Sequence, residues 1–125
     1  DESYNANPLS MSSVINNIRH HKIKNNSKKI AFLGDMLELG SKSKKFHKEL
    51  SKIVNESDLD KVFVYGNHIR ETFKHLSKHK KGKIFNNLIE AHDYFKKFIN
   101  NNDLLMIKGS NATGLNQFSK NIKRG

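Results

Sequence analysis

The sequence predicts an α/β fold, Rossmann-like, with a mostly parallel sheet and helices on both faces. Three observations carry that prediction. Short apolar runs alternate with stretches whose apolar residues recur at helical spacing. The connections between them are short. Three of the runs close on a glycine (Gly34, Gly66 and Gly109), as a strand does when it turns sharply toward a helix.

Met11, Val14, Ile15 and Ile18 fall on one helical face, with Ser10 or Asn7 as cap and Pro8 in the first turn. Ile30 to Leu33 is a short apolar run that reads as a buried strand. Phe46, Leu50, Ile53 and Val54 mark a second helix, capped by Ser41 or Ser43. Val62 to Tyr65 is the next strand, and Ile69, Phe73 and Leu76 give a third helix. A brief strand, Lys83 to Phe85, leads into a helix marked by Leu88, Ala91, Phe95 and Phe98. Leu104 to Ile107 is the last strand, and Leu115, Phe118 and Ile122 predict a short final helix. A doubly wound sheet ordinarily starts with a strand, whereas the first legible element here is a helix. DESYNANP therefore reads as the exit from a strand whose body lies at or before residue 1, so the first strand is expected to be truncated or absent.

At 125 residues the chain is expected to form a single domain, residues 1–125, with a real core. It has no Cys, which removes disulfide and thiolate chemistry and fits a reducing compartment. No apolar run approaches the roughly 20 residues that span a bilayer. The net charge of +11 raises the question of an acidic partner. Only three of the 23 basic residues are Arg, however, and Asn and Ile are abundant too. That bias fits an AT-rich coding sequence better than a nucleic-acid reader, which favours Arg. Neither nucleic acid nor membrane insertion is expected.

Ligands of open α/β sheets bind outside the carboxyl ends of the strands. Four exits are legible: DESYNANP, GDMLELGS, GNH and KGSNATG. The first offers Asp1, Tyr4, Asn5 and Asn7, suited to a ribose diol, to phosphate or carboxylate oxygens, or simply to capping and turns. In the second, Asp35 and Glu38 lie between two glycines and can meet a cation or a ligand amine, or merely turn the chain. The last sets Lys108, a point charge for carboxylate or phosphate, beside the small residues Gly109 and Ser110. It is not a P-loop, because the spacing before a Gly-Lys-Ser/Thr is absent. The seven His residues show no metal-ligand spacing, and His47, beside the apolar face of the second helix, is expected to pack.

DESYNANPLSM, IAFLGDMLELGSKSKKFH and LLMIKGSNATGL, in that order and spacing, resemble the C-terminal domain of the Mur ligase family. The type resembled adds D-alanyl-D-alanine to UDP-N-acetylmuramoyl-tripeptide. Where family members commonly carry Arg and Met after Lys-Gly-Ser, this chain has Asn111 and Thr113. The resemblance implies one domain of a three-domain, ATP-dependent amide ligase of the bacterial cytoplasm, working through an acyl phosphate in cell-wall precursor synthesis. It implies that ATP is the cosubstrate and that Mg²⁺ is held mainly by the central domain, with its P-loop. The partners implied are the UDP-sugar tripeptide, D-alanyl-D-alanine and the enzyme's own other domains. Matched by motif, Asp1 is expected on the ATP ribose, and Tyr4, Asn5 and Asn7 along the nucleotide and dipeptide cleft. Asp35, Lys108, Gly109 and Ser110 are expected to face the incoming substrate. His47 matches a recurrent family His. No catalytic or metal-binding residue is expected in this chain, which alone should be inactive. Two rivals stand beside this reading. One is a response-regulator-like receiver domain, although Gly66 and Asn67 stand where a phosphoacceptor Asp belongs. The other is a stand-alone nucleotide-binding module.

Overall fold

Each apolar segment alternates its side chains between two faces, so the chain can bury them only by sandwiching a sheet between helices. The computed structural model describes residues 6–110, 113–115 and 118. Its elements run α1 (Pro8–Asn17), β1 (Lys29–Gly34), α2 (Ser43–Asn55), β2 (Lys61–Tyr65), α3 (Ile69–Lys74), β3 (Lys81–Phe85), α4 (Leu88–Phe98) and β4 (Leu104–Lys108). The strands form one parallel sheet in the order β3-β2-β1-β4.

The central strand β1 sends Ala31 and Leu33 into one core with Met11 and Ile15 of α1, Leu50 and Val54 of α2, and Ile69 of α3. Its Ile30 and Phe32 enter the other core with Phe63, Phe85 and Phe95, joined by Leu115 and Phe118. Helices α2 and α3 carry the chain from β1 toward β3 along one face. Helix α4 carries it back to β4 across the other face, as right-handed crossovers require. The direction therefore reverses between β1 and β4. There the backbones run close: a Cβ on Gly109 would stand 3.0 Å from Gly34 Cα.

Some boundaries depart from the sequence reading for local reasons. Asn7 caps α1: its Oδ1 accepts from Ser10 N–H at 2.8 Å, and Ser10 Oγ accepts from Asn7 N–H at 3.0 Å. The cap expected at Ser41 or Ser43 does not form. The chain enters α2 through a 3₁₀ turn, Gly40–Lys42, and Ser43 becomes the first helical residue. Helix α3 stops at Lys74, short of Leu76, while β3 starts earlier, at Lys81. A register shift in the β2–β3 pairing, between Val62 and Val64, blurs the alternation there. The last expected helix falls largely on residues outside those described. No described helix is long and apolar enough to cross a membrane.

The amino ends of the strands are tied off by polar groups that serve the fold. Lys29 Nζ donates to Ile18 O at 3.1 Å, and buried Lys80 donates to Ser57 O and Leu59 O at 2.9 and 2.6 Å. Burial pushes the Lys80 ammonium below its ordinary range, with Asp60 and Asp58 opposing. Asp103 accepts from Lys28 N–H and Asn100 N–H at 2.8 and 2.9 Å, joining the starts of β1 and β4. At the second core's centre, the Phe95 ring meets Phe32, Phe63 and Phe85 with centroids 5.3, 5.0 and 5.5 Å away. Phe95→Ala should cost about 3–5 kcal/mol in urea unfolding; a loss under about 1 kcal/mol would contradict this packing.

Candidate functional site

The carboxyl ends of the strands meet at a rim built around the segment leaving β1. Its three residues are each held by a different element. Asp35, 8% exposed, accepts the main-chain N–H groups of His68 and Ile69 on Oδ1 at 3.0 and 2.7 Å, capping the start of α3. Met36 N–H donates to Nε2 of His47, from α2, at 3.0 Å. Leu37 N–H donates to Ser110 Oγ, beyond β4, at 2.8 Å. Ser110 N–H in turn donates to Asp35 O at 2.9 Å, and its hydroxyl donates to Ala6 O at 3.3 Å. One serine thus joins the start of the chain, the β1 exit and the β4 exit.

His47 is fully buried. Its Nδ1 lies 2.7 Å from Ser43 O, its own main-chain oxygen accepts from Thr72 Oγ1 at 2.5 Å, and its ring stands 5.7 Å from that of His68. Burial holds its pKa below the ordinary histidine value; the Ser43 carbonyl and the charge of Asp35 oppose that shift, and His68 adds to it.

Beside this junction lies a cleft of about 380 Å³. Asp35 and Leu37 line it from the β1 exit, Tyr65, Gly66 and Asn67 from the β2 exit, and Phe85 and Asn86 from the β3 exit. Arg70 of α3 and Thr113 complete the wall. Arg70 is braced by Asn86, whose Oδ1 accepts from Nη2 at 3.2 Å. A second groove, which shares Asn67 and Arg70, is lined by Lys44, His68, Glu71 and Lys74. The rim therefore offers an aromatic wall, amide groups and the opposite charges of Arg70 and Asp35, a surface suited to a polar ligand with a flat or apolar part. Among the described residues no three His, Asp or Glu side chains gather as a metal site would require.

Of the residues expected at the site, Asp35, Gly109 and Ser110 come together at the rim, and Asp35 also lines the cleft. Lys108 ends β4, in register with Leu33 one residue before Gly34. Asn7 lies next to Ala6 with its side-chain oxygen engaged in the α1 cap. Asp1, Tyr4 and Asn5 fall outside the described residues. The sequence reading missed Tyr65, Arg70 and Asn86. It counts four exits and omits the one after β3, where the same strand-end rule would have found Asn86. Arg70 carries no such signal, because its place depends on α3 turning it toward β3.

Comparison with known proteins gives a consistent family. Residues 2–111 match the model of the Mur ligase glutamate ligase domain. The chain is 30% identical over 125 residues to the UDP-N-acetylmuramoyl-tripeptide--D-alanyl-D-alanine ligase of Bacillus subtilis (strain 168), covering 98% of this chain and 27% of that protein. The enzyme of the same name from Rickettsia prowazekii is 28% identical over 114 residues, covering 91% of this chain and 25% of that protein. Among solved structures, MurF ligase from Thermotoga maritima in complex with ADP superposes with a TM-score of 0.77 at 24% identity, over 97% of this chain and 26% of that one. MurF from Acinetobacter baumannii gives 0.74 at 22% identity, over 98% of this chain and 26% of that one. The two superpositions show a shared fold. The chain spans about a quarter of the length of the relatives it matches.

Gly66 is where the rim tolerates no side chain. Its φ is +137°, and a Cβ there would stand 2.3 Å from Asp35 Oδ1. Gly66→Ala should destabilise the chain by on the order of 1–3 kcal/mol in chemical denaturation. It should also expose the His68 and Ile69 amides to solvent exchange. An unchanged midpoint together with full protection of both amides would contradict the Asp35 cap.

Proposed function

The chain belongs to the Mur ligase family as its glutamate ligase domain, and on that premise we propose that it is the C-terminal domain of a larger, three-domain ligase. That enzyme would join D-alanyl-D-alanine to a UDP-N-acetylmuramoyl-tripeptide in the bacterial cytoplasm at the expense of ATP. The family match and the curated relatives support this reading. The single structural observation that carries it is the junction at Ser110, which gathers the start of the chain, the Gly-Asp turn and the Lys-Gly-Ser turn on one rim.

In the reaction, a tripeptide carboxylate oxygen takes the γ-phosphoryl group of ATP and ADP leaves. The dipeptide amine then attacks the acyl carbonyl, phosphate departs, and the amine gives up a proton as the amide forms. These steps need positioning and charge neutralisation rather than a protein nucleophile. We assign this domain the positioning. Asp1 would accept hydrogen bonds from the ribose, with Tyr4, Asn5 and Asn7 along the nucleotide side. Lys108 would meet the dipeptide's carboxylate, while Asp35, Gly109 and Ser110 shape the wall beside it. Closure of the domain would keep water from the acyl phosphate. Mg²⁺ belongs, in this reading, to the central domain. The receiver-domain alternative draws no support from the rim, whose β2 exit presents Gly66 and Asn67.

Steady-state kinetics of the intact enzyme test the assignment. Asp1→Ala should raise KM for ATP about tenfold, the scale of one lost charge-assisted hydrogen bond, with KM for D-alanyl-D-alanine unmoved. Lys108→Ala should do the reverse. An effect of Lys108→Ala confined to ATP would overturn the assignment of the two loops.

A further inference from the structure

The contacts of His47 specify its protonation state. A ring nitrogen facing a carbonyl oxygen must carry the hydrogen, so Nδ1–H donates to Ser43 O. Nε2 must then be the bare nitrogen, and it accepts from Met36 N–H. Together the two bonds select one neutral tautomer. A proton added to Nε2 would set a donor against the Met36 N–H, and that anchor would be lost while the Ser43 contact stayed.

Met36 is the middle residue of the clamped segment. Asp35 before it and Leu37 after it both line the cleft. The flanking anchors are main-chain N–H groups held by the Asp35 carboxylate and the Ser110 hydroxyl. Neither the Leu37–Ser110 bond nor the main-chain donors of α3 change charge near neutrality, whereas an imidazole does. The titratable groups whose charge reaches His47 are Asp35, at the end of β1, which favours a proton on the ring, and His68, before α3, which disfavours it.

We propose that His47 is a positioning residue for the cleft: as a neutral imidazole it fixes Met36 and so the placement of Asp35 and Leu37, and on taking up a proton it releases this segment while the sheet stays folded. The direction of the pH effect follows from linkage. The ring's folded pKa lies below the unfolded value of 6.5. The stabilisation it gives is therefore complete above 6.5, and it declines as pH falls from there toward the folded pKa, because the opened form takes the proton first. This control acts on the chain's own loop through the Met36 N–H and does not depend on which ligand the cleft receives.

Nuclear magnetic resonance of the ¹⁵N-labelled 125-residue chain tests it. The His47 ring should show the Nδ1–H tautomer at about pH 7.5. Corrected for intrinsic exchange, protection of the Met36 amide should fall toward pH 5.5, by up to about tenfold, the ceiling that one proton and an opened-state pKa of 6.5 allow. The Phe32 and Val64 amides of the inner strands should keep theirs. In His47→Gln, the Met36 amide should lose this pH dependence. An Nε2–H tautomer, or Met36 protection that is flat with pH in the unsubstituted chain, would overturn the proposal. So would loss of protection at Met36, Phe32 and Val64 in step, which would make His47 a support for global stability only.

Discussion

At Ser110 the chain crosses itself in contact space. Its hydroxyl accepts from Leu37, 73 residues away in sequence, and donates to Ala6, 104 residues away. Its N–H meets Asp35 O, and Thr113 returns two hydrogen bonds to its carbonyl oxygen. The residue is 8% exposed, so these groups have little water to turn to. Each bond left unmade would cost roughly 1–3 kcal/mol. The β1 and β4 exits run close beside it, where even a Cβ on Gly109 would stand 3.0 Å from Gly34 Cα. The topology places that constraint: strand order reverses between β1 and β4, the point where an open parallel sheet opens a crevice.

The rim's working surfaces inherit their positions from this junction. Asp35 closes the start of α3 because β1 ends against Ser110, and α3 in turn delivers Arg70 to the cleft. His47 ties α2 to the same turn, Thr72 ties α3 to α2 through His47 O, and the α2–α3 layer rests on a continuous core of Leu50, Val54 and Ile69. On the opposite face an aromatic cluster around Phe63 and Phe95 fills the space under α4. The proposed positioning role depends on such packing, since its contribution would lie in the distance between groups. The polar groups at the other end of the sheet, Lys29, Lys80 and Asp103, direct their hydrogen bonds to main-chain atoms.

Much of the fold was legible because β1 and β2 are apolar throughout their cores and α2 and α4 repeat their apolar residues at strict helical spacing. The glycines that close the strands marked the rim. What escaped has particular causes. The β3 start was hidden by Lys81 and by the register shift opposite Val62 and Val64. The α2 start was misjudged because a 3₁₀ turn supplies what a serine cap would have supplied. The turn alone leaves Asp35 open as a ligand group or as part of a simple turn; that it caps α3 depends on contacts 33 and 34 residues away, which no local pattern encodes. His47 was expected to pack, and it does, but its bond to Met36 rests on α2 lying against the β1 exit.

The convergence of three distant segments on one serine is the claim from which the rest follows, and it is directly measurable. Nuclear Overhauser spectra of the labelled chain should show cross-peaks from the Ser110 side chain to both the Leu37 amide and Ala6. Contacts from Ser110 confined to its sequence neighbours, with Leu37 and Ala6 silent, would contradict the shared rim and with it the assignment of a common substrate cleft.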